Sequence, residues 1–269
     1  MHPTLNPRAG SAPQQGPATQ RTPSRRTQDS ATRMFHWLLA LSFVGAYATA
    51  ESERWRAMHV TLGYTLALLL VFRLIWGAVG PRHVRWSALG RRLQGLGPWL
   101  LSWRTKAVAP ANGVKEAALA ASAWSQVGIQ LRQGAALLLA LGVLLLLVTI
   151  VPLVISGWMT YNEWGGEWLG EVHEFFGNSL LMLALLHLVL IAALTAVRGK
   201  SQITPMLTGR TAGSGPDLVK SSYTWVAALL LVCVLVLWVW QWDSAPKGLL
   251  PIAGSAGQLT DSDHDRDDD

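Results

Sequence analysis

Long apolar runs alternate with polar segments along most of the chain. Met34–Ala50, Ala57–Val79, Ala135–Ile155, Glu171–Val197 and Tyr223–Trp242 each approach or exceed the roughly 20 residues with which an α-helix crosses a hydrocarbon core about 30 Å thick. The pattern predicts an all-α integral membrane protein, with four transmembrane helices in a bundle and a fifth at the C-terminal side. Residues 80–134 interrupt the apolar pattern with Pro, Gly and Arg. The stretch WSALGRRLQGLGPWLLSW within them mixes Trp and Leu with Arg, as amphipathic helices at a membrane surface do. Residues 1–32 are rich in Pro, Ser, Thr, Gln and Arg, lack the apolar stretch of a signal peptide, and read as a disordered extension. Residues 211–222 read as a linker, and residues 243–269, ending in DSDHDRDDD, as an acidic tail.

Charge gives the bundle a direction. Arginines and lysines crowd the N-terminal extension, the 80–134 segment and the loop after the fourth run, whereas Gly157–Val197 has none and carries Glu163, Glu167, Glu171 and Glu174. Basic loops stay on the cytoplasmic side. The expected topology is therefore an inner-membrane protein with a cytoplasmic N-terminus and a periplasmic tail. The net charge of +6 reflects this asymmetry rather than a nucleic-acid surface. Many of the 14 tryptophans flank the apolar runs, where amphipathic rings favour the interface. A single cysteine, Cys233, excludes an intrachain disulfide, and the absence of C-x-x-C-H argues against covalently attached haem.

Four histidines lie in or at the ends of these runs: His36, His59, His173 and His187. His173 and His187 are 14 residues apart, which returns an α-helix to nearly the same face about 21 Å along its axis. With the expected topology, His36 and His187 share the cytoplasmic depth, and His59 and His173 share the periplasmic one. A lone membrane histidine reads as packing or proton relay. Two depth-matched pairs read as two bis-histidine haem sites. Zinc fits less well, because it takes four ligands and each pair supplies only two.

Smaller signals accompany the pairs. Gly63 follows His59 by four residues and Gly177 follows His173 by four, on the same helix face. They either clear space for a porphyrin or serve as small-residue contacts between helices. Arg73 lies 14 residues beyond His59, either as a partner for haem propionates or as a side chain reaching the surface. Arg33, just before His36, is a further candidate for propionate contact.

The residues that carry these features also resemble a known family. R-M-F-H-W at Arg33–Trp37, E-R-W-R-A-M-H-V-T-L-G-Y-T-L at Glu53–Leu66 and F-R-L-I-W-G at Phe72–Gly77 are similar to the bacterial dihaem b-type cytochromes, as are G-G-E-W-L-G-E-V-H-E and the later L-H-L-V. That family takes in prokaryotic cytochrome b561 and the b-type subunit of nickel–iron hydrogenases. The resemblance covers about residues 33–210. It implies a four-helix bundle holding two haems b on His36, His59, His173 and His187, and electron exchange between membrane quinones and a redox partner protein. The His-Asn-Pro stretch often found before the third span is missing. The extension, the fifth run and the acidic tail fall outside the resemblance. The tail serves either solubility or the steering of a basic periplasmic cytochrome c. A self-contained quinone oxidoreductase, for instance one acting on superoxide, and a histidine-relay transporter are the competing functions.

Overall fold

The protein's structure is a computed structural model describing residues 23–106 and 116–244, with side chains throughout these except in residues 103–127. Helix α1 spans Ser30–Thr49 and, after a 3-10 turn at Glu53–Trp55, α2 spans Arg56–Val79. Gly80 and Pro81 end α2, since proline supplies no N–H to continue the ladder. Two short helices follow, α3 at Trp86–Leu93 and α4 at Leu96–Lys106. The longest helix, α5, runs over Glu116–Tyr161 with Pro152 inside it, and α6 over Trp168–Arg198. Gly199, at a φ of 60°, takes the left-handed conformation that closes α6. A five-residue helix α7 at Thr204–Thr208 leads to α8 at Thr224–Ser244.

Four segments are long and apolar enough to cross a membrane: Glu53–Val79, Gly128–Tyr161, Trp168–Arg198 and Thr224–Ser244. The expected first span, now α1, is helical but does not reach that apolarity, because Ser30, Thr32, Arg33, His36, Ser42 and Thr49 dilute it. The 80–134 segment also differs from expectation. Its α3 and α4 are short helices as read, but from Glu116 onward it is a continuous extension of the third span. Residues 116–127 contain neither Pro nor Gly and are rich in Ala, so nothing in them breaks the helix.

The long helices associate as two hairpins, α1 with α2 and α5 with α6, joined through α2 and α5. Helix α8 packs on α1 and α2. One apolar cluster, Phe35, Leu69, Leu147, Leu230 and Val234, ties α8 into the core, and a second, Leu70, Ile150, Leu153 and Leu180, joins the two hairpins. Across the α2–α8 contact the Trp238 indole donates to the Thr65 hydroxyl at 3.0 Å, and Thr65 is fully buried.

The extension expected to be disordered is ordered from Ser24 onward. Ser24–Arg26 forms strand β1, which pairs antiparallel with β2 at Arg210–Ala212. Residues 1–22, and the tail from residue 245, lie outside the described residues. Backbone pairing to the loop after α6 is what the composition of the extension did not reveal. Gly209 makes the junction: its carbonyl accepts from Thr27 and Gln28, and at a φ of 76° it occupies a conformation suited to glycine.

Asp29 joins this strap to the bundle. It is fully buried and caps α1, accepting from the Thr32 amide at 2.7 Å and the Thr32 hydroxyl at 2.8 Å. The His83 ring, from the loop after α2, donates Nε2–H to the same carboxylate at 3.0 Å. Burial raises the proton affinity of Asp29, but the hydrogen bonds from His83 and Thr32 outweigh it and hold the carboxyl below its ordinary range. Because the native carboxylate binds its proton less readily than the unfolded one, its stabilisation is complete at neutral pH. It is lost as pH falls through the depressed native value. Thermal unfolding of the detergent-solubilised chain should show Asp29→Ala destabilised by about 1–3 kcal/mol at neutral pH. The difference between it and the parent chain should shrink on acidification, and a difference that grows would contradict the assignment.

Candidate functional site

The two hairpins face one another with histidines at two levels. At the acidic end of the bundle, His59 of α2 and His173 of α6 lie with ring centroids 6.0 Å apart and planes at 83°. Both rings are fixed through Nδ1. His59 Nδ1 lies 2.8 Å from the Ala46 carbonyl and His173 Nδ1 lies 3.0 Å from the Leu153 carbonyl. A carbonyl only accepts, so Nδ1 carries the proton and, in the neutral ring, Nε2 keeps the lone pair. Ala46 has a carbonyl to offer because α1 ends there: Ala50 bonds to Tyr47 instead.

Gly157 makes the His173 arrangement possible. A Cβ at this position would stand 2.6 Å from Cε1 and 2.8 Å from Nδ1 of the His173 ring. Leu153, whose carbonyl the ring contacts, lies one turn earlier on the same face of α5. Sequence reading singled out Gly63 and Gly177 but missed Gly157. Its only signal was a small residue opposite the histidine helix, and finding it requires the α5–α6 register. At Gly63 a Cβ would meet nothing within 4 Å, while at Gly177 it would meet only Leu153 Cδ1 at 3.8 Å. Gly63 therefore borders open space, and Gly177 has an ordinary neighbour.

At the arginine-rich end, His36 of α1 lies within electrostatic reach of His187 of α6. Here neither ring is tied down: Nδ1 of both is buried without a hydrogen-bond partner. Arg33 Nε and Trp76 Nε1 are likewise buried and unpartnered. These four are the unsatisfied buried side-chain atoms found among the described residues, and all belong to the same end of the bundle. Buried polar atoms in folded proteins are normally satisfied, so a cluster of unsatisfied ones marks a place where another group belongs.

The two arginines offered as propionate partners also make contacts within the chain. Arg73 donates to the Val84 carbonyl at 3.3 Å from both terminal nitrogens and covers the Trp86 ring at 4.6 Å, fastening the turn after α2. Arg33 donates to the Leu207 carbonyl at 2.6 Å, and Trp37 to the Met206 carbonyl at 3.2 Å. Arg33 and Trp37, one turn apart, thus bind α7 against the start of α1.

The donor sets decide what the sites can hold. Among the described residues no three His, Cys, Asp or Glu side chains converge, so each level offers two imidazoles and no more. An imidazole about 2 Å from a metal has its ring centre about 3 Å from it, so two rings on opposite sides of one ion stand about 6 Å apart. The His59–His173 separation fits that arrangement. Two axial nitrogens, open space at Gly63 and unsatisfied donors at the other level fit a haem, which brings its own four nitrogens and its own carboxylates.

A family model described as prokaryotic cytochrome b561 matches residues 27–209, which take in helices α1 to α7 and all four histidines. No curated protein and no solved structure matches the chain. The match spans well over half of the sequence, and its apolar helices are those of a multi-pass membrane protein. The chain belongs to the prokaryotic cytochrome b561 family, whose members bind haem b and pass electrons across the membrane.

Proposed function

We propose that this chain is a dihaem cytochrome b that carries electrons across the bacterial inner membrane, between the quinone pool and a redox partner protein. The observation that supports this reading is the His59–His173 ring pair, with His187 about 21 Å further along nearly the same face of α6. His59 and His173 would hold one haem b through their Nε2 atoms, and His36 and His187 the other. Haem b supplies reversible one-electron chemistry when bound. The protein would supply the ligating nitrogens, those of His59 and His173 oriented by the Ala46 and Leu153 carbonyls, and a low-dielectric surround. Arg33 Nε and Trp76 Nε1, donors without acceptors, suit the carboxylates of the haem at the arginine-rich end. On this reading α1 crosses the membrane despite its polar residues, because its polar face is turned to the haem sites. The described part of the chain then has five crossings. The arginine-rich end faces the cytoplasm and the acidic end the periplasm.

Haem content and the reduced-minus-oxidised spectrum of the purified chain test this directly. Two non-covalent haems b per chain are expected. His59→Ala and His173→Ala should each remove one haem, and His36→Ala and His187→Ala should each remove the other. Loss of the same haem in all four variants, or its absence from protein made with ample haem, would overturn the reading.

Two glycines separate packing from cofactor clearance. Gly157→Ala should displace the His173 ring and weaken or abolish the haem at the acidic end, leaving the other spectrum intact. Gly63→Leu points into space that protein atoms leave open, so the chain should fold normally and still lose that haem. Retention of both haems in Gly63→Leu would show that the open space is not the porphyrin's.

A further inference from the structure

A separate cavity lies outside the histidine levels. It is about 840 Å³ in volume, between α3, α4, α5 and the end of α6, and Arg92, Arg132 and Arg198 line it. Its wall also includes Ala136, Leu137 and Leu194. Arg132 stands just before the apolar part of α5, and Arg198 just after that of α6. Ala136 and Leu194 each lie one turn inside these arginines, and Leu194 is almost completely buried. The cavity is thus basic at the depth of lipid headgroups and apolar immediately deeper.

Its charge is also uncompensated over long stretches of chain. No Asp or Glu occurs in residues 54–115, 117–162 or 175–216, and all its described lining residues come from these segments. Only two side-chain ion pairs are found among the described residues, Arg56 with Glu53 and His83 with Asp29, and neither involves the cavity. The Trp99 indole donates to the Gln130 carbonyl at 3.1 Å, and Gln130 donates to the Ser102 hydroxyl at 3.2 Å, fixing α4 to α5.

We infer that this cavity is a binding site for an anionic phospholipid, with the phosphate held by Arg92, Arg132 and Arg198 and the first acyl segments against Ala136, Leu137 and Leu194. Arginine matches phosphate with paired N–H donors, and basic pockets between membrane helices suit anionic headgroups. A free phosphate would use the arginines and leave the apolar wall exposed. A neutral lipid would use the wall and leave three cations without a counter-ion. An anionic phospholipid satisfies both parts.

Native mass spectrometry of the detergent-purified full chain, titrated with phosphatidylglycerol, phosphatidylcholine or inorganic phosphate, tests this. Phosphatidylglycerol should occupy one site roughly tenfold or more tightly than phosphatidylcholine. The double variant Arg132→Gln, Arg198→Gln should lose that preference, while Arg56→Gln, at the opposite end of α2, should keep it. Helicity and a monodisperse elution profile establish that each variant is folded, and Arg92→Gln provides a milder second variant. Equal affinity for the two lipids would overturn the proposal. So would inorganic phosphate displacing phosphatidylglycerol at matched concentration, or an equal loss in Arg56→Gln.

Discussion

A buried imidazole nitrogen in a membrane helix must find a partner, and most of this structure is arranged around that requirement. At the acidic end both rings satisfy Nδ1 with a backbone carbonyl, one at the frayed end of α1 and one on α5. Each of these bonds reaches between helices, so it aligns a ring and registers two helices at once. The packing follows: Gly157 has to be small for α5 to approach α6 at His173. Apolar association alone would allow α5 and α6 to slide past one another, since lipid competes for the same surfaces.

The two levels solve the requirement in different ways. The rings of His59 and His173 have their tautomers set by protein atoms, the arrangement that commonly orients histidine ligands. Those of His36 and His187 have unsatisfied Nδ1 atoms, beside unsatisfied donors on Arg33 and Trp76. Such a cluster costs stability unless another group fills it. The rings at the acidic end are therefore oriented by the chain itself, whereas those at the arginine-rich end have no such partner at Nδ1.

Much of this was legible in the sequence, because helical period and membrane thickness are rigid rulers. The spacing of 14 between His173 and His187, read with the distribution of arginine, pairs His59 with His173 by depth, and the structure sets those two rings 6.0 Å apart. What stayed hidden depended on contacts between distant segments. Strand β1 joins residues 24–26 to 210–212, and no local pattern in a Pro- and Ser-rich extension announces a partner so far away. The onset of α5 at Glu116 falls inside a segment that Pro, Gly and Arg mark as a break in the apolar pattern, although residues 116–127 contain no helix breaker. Gly157 carries no periodic signal, and its importance appears only when the His173 ring is placed over it.

Arginine shows why counting charges fixes topology better than it assigns roles. The same residue type at the same end of the bundle does three different jobs. Arg73, which the sequence places on the His59 face, spends its donors on the Val84 carbonyl and its face on Trp86. Arg33 anchors α7 through the Leu207 carbonyl and retains an unsatisfied Nε beside the histidine level. Arg92, Arg132 and Arg198 converge on a cavity whose described lining has no carboxylate. A positive-inside distribution needs only that these side chains be cationic. Whether one fastens a loop, faces a cofactor or awaits an anion depends on which acceptors the neighbouring backbone leaves within reach. Helix ends, where carbonyls lack helical donors, supply many of those acceptors. The arginines near α7 and the turn after α2 are therefore engaged by backbone carbonyls, whereas Arg198, the last residue of α6, donates to a side-chain oxygen, that of Gln202 at 3.4 Å.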